Sequence, residues 1–264
     1  MWERAAPWLV VAVAVVVGLV LERVAPRRGR PRAIRPIDRA SDVANLVFFV
    51  WWSGVVLAAA ALFVREGLVP FLRAHGLPMP PQPLAKAPWL VQGVVFFVVG
   101  DLFNYLTHRL LHRVPAFWLF HRIHHAAADD HFGVFISWRF HWMEKILYTS
   151  IQLIPMLFFA VQPQVAFVVG ALLTGTGALA HTDINGPGAW LARVFVTPRF
   201  HRWHHAHDNV SPAVNFGTAL SIWDRAFGTA RLDDVDPPQL GTSDADAVVD
   251  HVVGHQLWPL LRRR

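Results

Sequence analysis

The chain carries fifteen histidines, and eight of them fall into three tight clusters. His108 and His112 are spaced i, i+4, which puts two imidazoles on one face of a helix. HRIHH at 121–125 and HRWHH at 201–205 spell one pattern twice, so His121, His124, His125 and His201, His204, His205 each offer rings in two directions from a single turn. An imidazole titrates near neutral pH, and crowding several together is costly unless something keeps them neutral and oriented; a metal ion does both. Eight nitrogens exceed what one ion usually takes, so the count predicts two metals. Each cluster alone has a plainer reading: H-x-x-x-H as a hydrogen-bonded interface pair, H-x-x-H-H beside arginine as a patch facing phosphate or lipid headgroups. The three together, on one face of a membrane, point to metal.

Absences narrow the chemistry. With no cysteine there is no disulfide, thiolate zinc site, iron-sulfur cluster or catalytic thiol, so ligands must be nitrogen or oxygen. The four glutamates, Glu3, Glu22, Glu66 and Glu144, head no E-x-x-H, which excludes the soluble four-helix carboxylate di-iron site. No H-E-x-x-H argues for a zincin peptidase, and no G-x-G-x-x-G or P-loop argues for a nucleotide cofactor. Bis-histidine haem needs a few well-separated histidines within spans, not dense boxes at one edge.

The elements that position these residues follow from hydropathy. At 264 residues, 54% hydrophobic and with mean hydropathy +0.36, the chain reads as an all-α integral membrane protein of four to five transmembrane helices with a cytoplasmic helical cap carrying the boxes. Ala5–Leu21 reads as a retained first span. The cluster Arg23, Arg27, Arg28, Arg30, Arg32, Arg35 and Arg39 behind it stays in the cytoplasm by the positive-inside rule, and Val43–Val64 is the second span. The prolines of 65–88 suit an outer loop, with Leu68–Leu72 lying in the interface. A third span begins near Trp89 and runs inward past Asp101, a carboxylate at a depth that makes it a functional suspect, to deliver His108. From Ile146 to Ala180 no residue is charged. As one helix this stretch would be about 50 Å long, against a hydrocarbon core of about 30 Å. The Gln162-Pro163-Gln164 break makes it a hairpin, which returns His181 to the face left at His141. The expected organisation is therefore 1–88, the N-terminal spans with a basic cytoplasmic loop and Pro-rich outer loop; 89–230, the histidine-box domain including the membrane hairpin 146–180; and 231–264, a polar tail holding Asp233, Asp234, Asp236, Asp244, Asp246 and Asp250 and ending in Arg262–Arg264.

With boxes H-x-x-x-H, H-x-x-H-H and H-x-x-H-H on one membrane face, the chain resembles the fatty acid hydroxylase and sterol desaturase superfamily over roughly Leu90–Thr229. RFHWME at 139–144 resembles that family's R-x-H-P-x-E, HTDIN at 181–185 its inter-box histidine motif, and NFGTALSIWDRAFGT at 215–229 its closing motif. Trp142 stands where proline is usual and Phe216 where tyrosine is common. Where fatty acid 2-hydroxylases have a further H-x-x-x-H, this chain has His181 with Asn185 at i+4, which leaves open whether Asn185 binds metal directly, through water or not at all. The resemblance implies a centre of two iron ions held by His108, His112, His121, His124, His125, His181, His201, His204 and His205. His141 is a candidate ligand or ligand-orienting donor, with a structural contact to Glu144 as the alternative. Asp101, Asp183, Asp208 and Asp224 are candidates to orient ligating imidazoles through their second nitrogen. His207 and His131 read as surface groups, and His75, His251 and His255 receive no role.

The function expected is O2-dependent hydroxylation or desaturation of a lipid drawn from the bilayer (fatty acyl, sterol-like or ether lipid), at a site facing the cytoplasm of a bacterial inner membrane. Electrons would come from a separate donor, a ferredoxin, cytochrome or reductase, docking on the basic surface near Arg199 and Arg202. No nucleic acid partner is indicated. The rivals are a histidine-rich metal transporter or metal-binding membrane protein, which would line the middle of several spans with polar residues, and a metal-dependent lipid hydrolase, which would work with zinc and without oxygen.

Overall fold

A computed structural model of the chain describes residues 2–27, 29, 36–126, 132–186, 190–243 and 252–261. Arg28, Arg30, Arg32, Arg35, His131, Asp244, Asp246, Asp250, His251 and Arg262–Arg264 lie outside them. The described residues form helices and no strands. Among them, three helices are long and apolar enough to cross a membrane: Arg39–Ala74, Trp89–Arg113 and Pro163–Ala180. The expected four to five spans add two more helices, α1 (Trp2–Val24) and α6 (Trp142–Phe159).

Helix α2 (Pro36–Leu62) does not stop where the proline-rich stretch was expected to form a loop. It runs through a π-helical turn, Phe63–Leu68, into α3 (Val69–Ala74). Pro70 is tolerated because it falls in the first turn of α3, where its missing N–H is not needed. The loop is confined to the residues between Ala74 and α4 (Trp89–Arg113).

Two helices occupy the charge-free stretch after Ile146. Helix α6 ends at Phe159, Ala160 turns in the left-handed region with φ 52°, and α7 (Pro163–Ala180) starts with proline at its first position. The far end of this pair is tied to the start of α4, since Gln92 accepts from the Gln162 N–H at 2.9 Å. The near end returns to the histidines, with Glu144 in the first turn of α6 and His181 capping α7. α6 and α7 both pack on α4, α2 packs on α6, and α1 packs on α7. Close approach at α1 needs glycine: a Cβ on Gly18 would lie 2.6 Å from Val134 Cγ2. Five helices, α1, α2, α4, α6 and α7, thus line, as an incomplete ring, an apolar cavity of about 450 Å³ that is partly open. Leucines, valines and phenylalanines cover much of their outer surface, as on Trp89, Leu90, Val94 and Val98 of α4, which suits a lipid environment.

At one end of the ring sit α5 (Pro115–His125), the 3-10 turn Val134–Trp138, α8 (Pro198–His204) and α9 (Ile222–Ala226). The segment after 230 is not a free polar tail. Asp236 accepts from Arg202 Nε at 2.8 Å, Val235 accepts from Trp203 Nε1, and Gly241 N–H donates to the His205 carbonyl. Helix α10 (Val252–Leu261) packs on α2 and α5, burying His255. Of the tail's aspartates, Asp236 pairs with Arg202 of the buried box and Asp233 with Arg231.

Candidate metal centre

Each box histidine is buried or nearly so: His121, His124, His125, His201, His204 and His205 are all under 5% exposed. They separate into two groups whose ring nitrogens lie within 4.8 Å of one another. One holds His108, His112, His121, His125 and His204; the other holds His124, His181, His201 and His205. The repeated pattern has a geometric meaning. Each H-x-x-H-H gives its i, i+4 pair to one group and its middle histidine to the other, so the two boxes cross-link two sites. His108 and His112 complete the first group, and His181 joins the second. Asn185, four residues on, is exposed and adds nothing to it, which is why the second group is one imidazole smaller.

The outward nitrogens are held. His108 Nδ1 lies 2.8 Å from the Phe216 carbonyl, His124 Nδ1 3.1 Å from that of Ile136, His181 Nδ1 2.7 Å from that of Gly177, and His204 Nδ1 2.8 Å from that of Val214. His121 Nδ1 meets Glu144 Oε2 at 2.6 Å. A carbonyl only accepts, so Nδ1 of His108, His124, His181 and His204 carries the proton and their Nε2 atoms are bare. Yet His124 and His181 bring their bare Nε2 atoms to 3.0 Å, and Nε2 of His108 lies 3.1 Å from that of His121. Two lone pairs facing at that distance repel unless a cation lies between them. In the second group Nε2 of His201 is 2.9 Å, and of His205 3.2 Å, from that of His181. Ligands at right angles around an ion with nitrogen bonds of about 2.1 Å stand about 3.0 Å apart. In the first group, Nε2 of His112, His125 and His204 are buried without a hydrogen-bond partner among the described residues. The donor set therefore fits two metal ions bound by nitrogen.

Electrostatics point the same way. Burial, then repulsion from neighbouring imidazoles, holds His121, His125, His201 and His205 well below the ordinary histidine range, and burial takes His181 down to about 4. These rings are neutral at physiological pH, the form that ligates.

The remaining candidates serve the frame. His141 caps α6: its Nδ1 accepts from Met143 N–H, and its Nε2 donates to the Gln256 carbonyl, so neither nitrogen is left for metal. Its backbone N–H donates to Glu144 Oε1, completing a capping box that aims the other carboxylate oxygen at His121. Asp101 accepts from Ala219 N–H, Leu220 N–H and Trp223 Nε1, while Asp224 accepts from Phe216 and Gly217 N–H and from Thr229. Together they hold the loop whose Phe216 carbonyl fixes His108. Asp183 pairs with Arg27 at 2.6 Å, and Asp208 with Ser243 and His207. None of these four aspartates hydrogen-bonds a box histidine among the described residues; Glu144 does. The sequence placed Glu144 in its motif but gave it no such role. His207, read as a surface group, is buried. Arg202, expected on a docking surface, is fully buried and paired with Asp236, while Arg199, the other residue of that expectation, is partly exposed and 3.9 Å from the same carboxylate.

A helical membrane-type protein with two histidine groups at the end of an apolar cavity is the class this geometry defines. The fatty acid hydroxylase profile matches residues 93–229, and the chain belongs to that family. It is 30% identical to the ornithine lipid hydroxylase of Rhizobium tropici over 157 residues, 60% of this chain and 46% of that protein. It is 27% identical to the alkylglycerol monooxygenase of Caenorhabditis elegans over 179 residues, 66% of this chain and 34% of that one, and 27% identical to the human alkylglycerol monooxygenase over 153 residues, 54% and 31%. The chain spans less than half the length of these relatives. No solved structure matches it.

Proposed function

We propose that the chain is a membrane-bound oxygenase that inserts oxygen into, or desaturates at, a C–H bond of a lipid. Its overall reaction consumes one O2, two external electrons and two protons, giving a hydroxyl group and one water on hydroxylation, or a double bond and two waters on desaturation. One observation carries the reading: His108, His121, His124, His181 and His201, drawn from both groups, line the same cavity as Phe96, Met156, Phe167 and Leu173. An acyl chain in that cavity would present its carbons to both groups while water is excluded. When bound, a pair of iron ions would supply the redox chemistry of dioxygen that zinc lacks. His108, His112, His121, His125 and His204 would hold one ion, and His124, His181, His201 and His205 the other. Glu144 keeps His121 oriented, and the carbonyls of Phe216, Ile136, Gly177 and Val214 do so for their partners. The arginine distribution favours a cytoplasmic site, where a ferredoxin, cytochrome or reductase would deliver electrons. A transporter reading is disfavoured by the predominantly apolar distal wall of the cavity.

The test uses protein purified in mild detergent, given iron, a chemical or protein reductant and a bacterial lipid extract under 18O2. An 18O-labelled lipid that disappears under argon or with zinc alone is expected for hydroxylation. Turnover that continues without oxygen would sink the reading in favour of a hydrolase.

A further inference from the structure

Among the described residues, the cavity wall carries one cation that the metal centre does not use. Lys145 follows Glu144 in the first turn of α6 and lines the cavity. Its ammonium has no hydrogen bond or ion pair among the described residues; its neighbour is the face of Phe49, 5.2 Å from Nζ to the ring centroid. Glu144 makes no ion pair with it; its carboxylate oxygens bond His121 and the His141 N–H instead. The position is locally unfavourable twice over. A helix N-terminus repels a cation, and an unpaired charge facing an apolar space is costly. One turn further, Tyr148 lines the same cavity, and its hydroxyl is likewise without a hydrogen-bond partner. At i, i+3 the two side chains share a helix face. Beyond them, past Gln152, whose amide is tied to Asn104 and Gly100, the wall turns apolar with Leu153, Met156 and Phe167. The polar half of the cavity is thus the half next to the histidines.

Resting on the oxygenase reading for what happens to the lipid, though not for its binding, we propose that Lys145 and Tyr148 receive an anionic oxygen group of the substrate, a carboxylate or a phosphate. Lys145 supplies the charge and Tyr148 a hydroxyl donor. The chain attached to that group then extends along the apolar half, and the carbon oxidised lies near the anionic end rather than at the tail.

Binding of three probes with the same sixteen-carbon chain, hexadecanoate, hexadecyl phosphate and hexadecanol, is measured by equilibrium dialysis on the full chain in neutral detergent, with and without iron. At least one anionic probe is expected to bind about tenfold tighter than the alcohol. Lys145→Met should abolish that preference while leaving hexadecanol affinity unchanged, which also shows that the variant is folded, and Lys145→Arg should retain it. Preference for the carboxylate or for the phosphate identifies which source the site takes. Equal affinity for all three probes, or a Lys145→Met variant that keeps the anionic preference, overturns the proposal. Because no turnover is read, the result stands apart from the 18O2 experiment.

Discussion

Two bare imidazole nitrogens 3.0 Å apart are an unstable arrangement that a protein keeps only for a cation, and His124 and His181 are placed that way. This gives the residue-scale predictions. Glu144→Gln leaves His121 only a weaker, amide acceptor; it should weaken metal retention by about 10- to 100-fold, read as loss of metal during dialysis against a chelator. In the metal-free protein, His181 is held at about 4 against an ordinary 6.5. Its contribution to stability is therefore fully present above pH 6.5 and lost as pH falls towards 4, because the unfolded chain binds a proton the folded chain refuses. Melting temperature measured from pH 7 to pH 4 should fall throughout that window, and a flat profile would contradict the buried neutral cluster. The histidines were legible in the sequence because their spacing is itself a geometric statement. The groups that orient them were not: four are backbone carbonyls, which leave no mark in residue identity, and the fifth, Glu144, lies 23 positions from its histidine.

At the scale of elements, Asp101 shows how sequence position misleads. A carboxylate deep in an apolar helix invites a functional reading, yet it ties α4 to the 217–223 loop by accepting from three donors. Asp101→Ala would strand three donors, at about 1–3 kcal/mol each, and should sharply reduce the yield and melting temperature of folded protein. Gly217 belongs to the same device. A Cβ there would meet the Leu220 carbonyl at 2.7 Å and Asp224 Oδ2 at 2.9 Å, so Gly217→Ala should displace the loop and loosen His108, measured as lower metal content in a protein that still folds. The division between α6 and α7 was readable from Pro163, whose ring starts a helix well and continues one badly. The continuation of α2 through Pro70 was not, since only the preceding π turn shows that this proline begins a new helix. Helix α10 escaped notice because its docking depends on a distant partner: Gln256 accepts from the Trp142 N–H and donates to the Phe140 carbonyl.

Over the whole molecule, the five-helix arrangement does two jobs at once: it lines the apolar cavity and brings α4, α5, α7 and α8 to a common end. The hairpin return of the chain to the histidine end could be argued from charge and length alone. The cavity could not, because α2 and α7 line it with side chains about as apolar as those they turn outward, and the few polar groups that α6 turns inward, Lys145, Tyr148 and Gln152, do not by themselves mark a substrate wall. If the cavity holds the acyl chain, then Ala166→Phe, at its distal part, should shift turnover towards shorter chains with metal content unchanged. An unchanged chain-length profile would place the substrate elsewhere. The central claim, two ions held by two sets of imidazoles, is tested most directly by counting iron per chain in detergent-purified protein by elemental mass spectrometry. Two irons per chain are expected, falling to about one in the His112→Ala/His125→Ala variant. One iron or none in the unaltered protein after reconstitution, or full lipid turnover with zinc in both sites, would contradict the account.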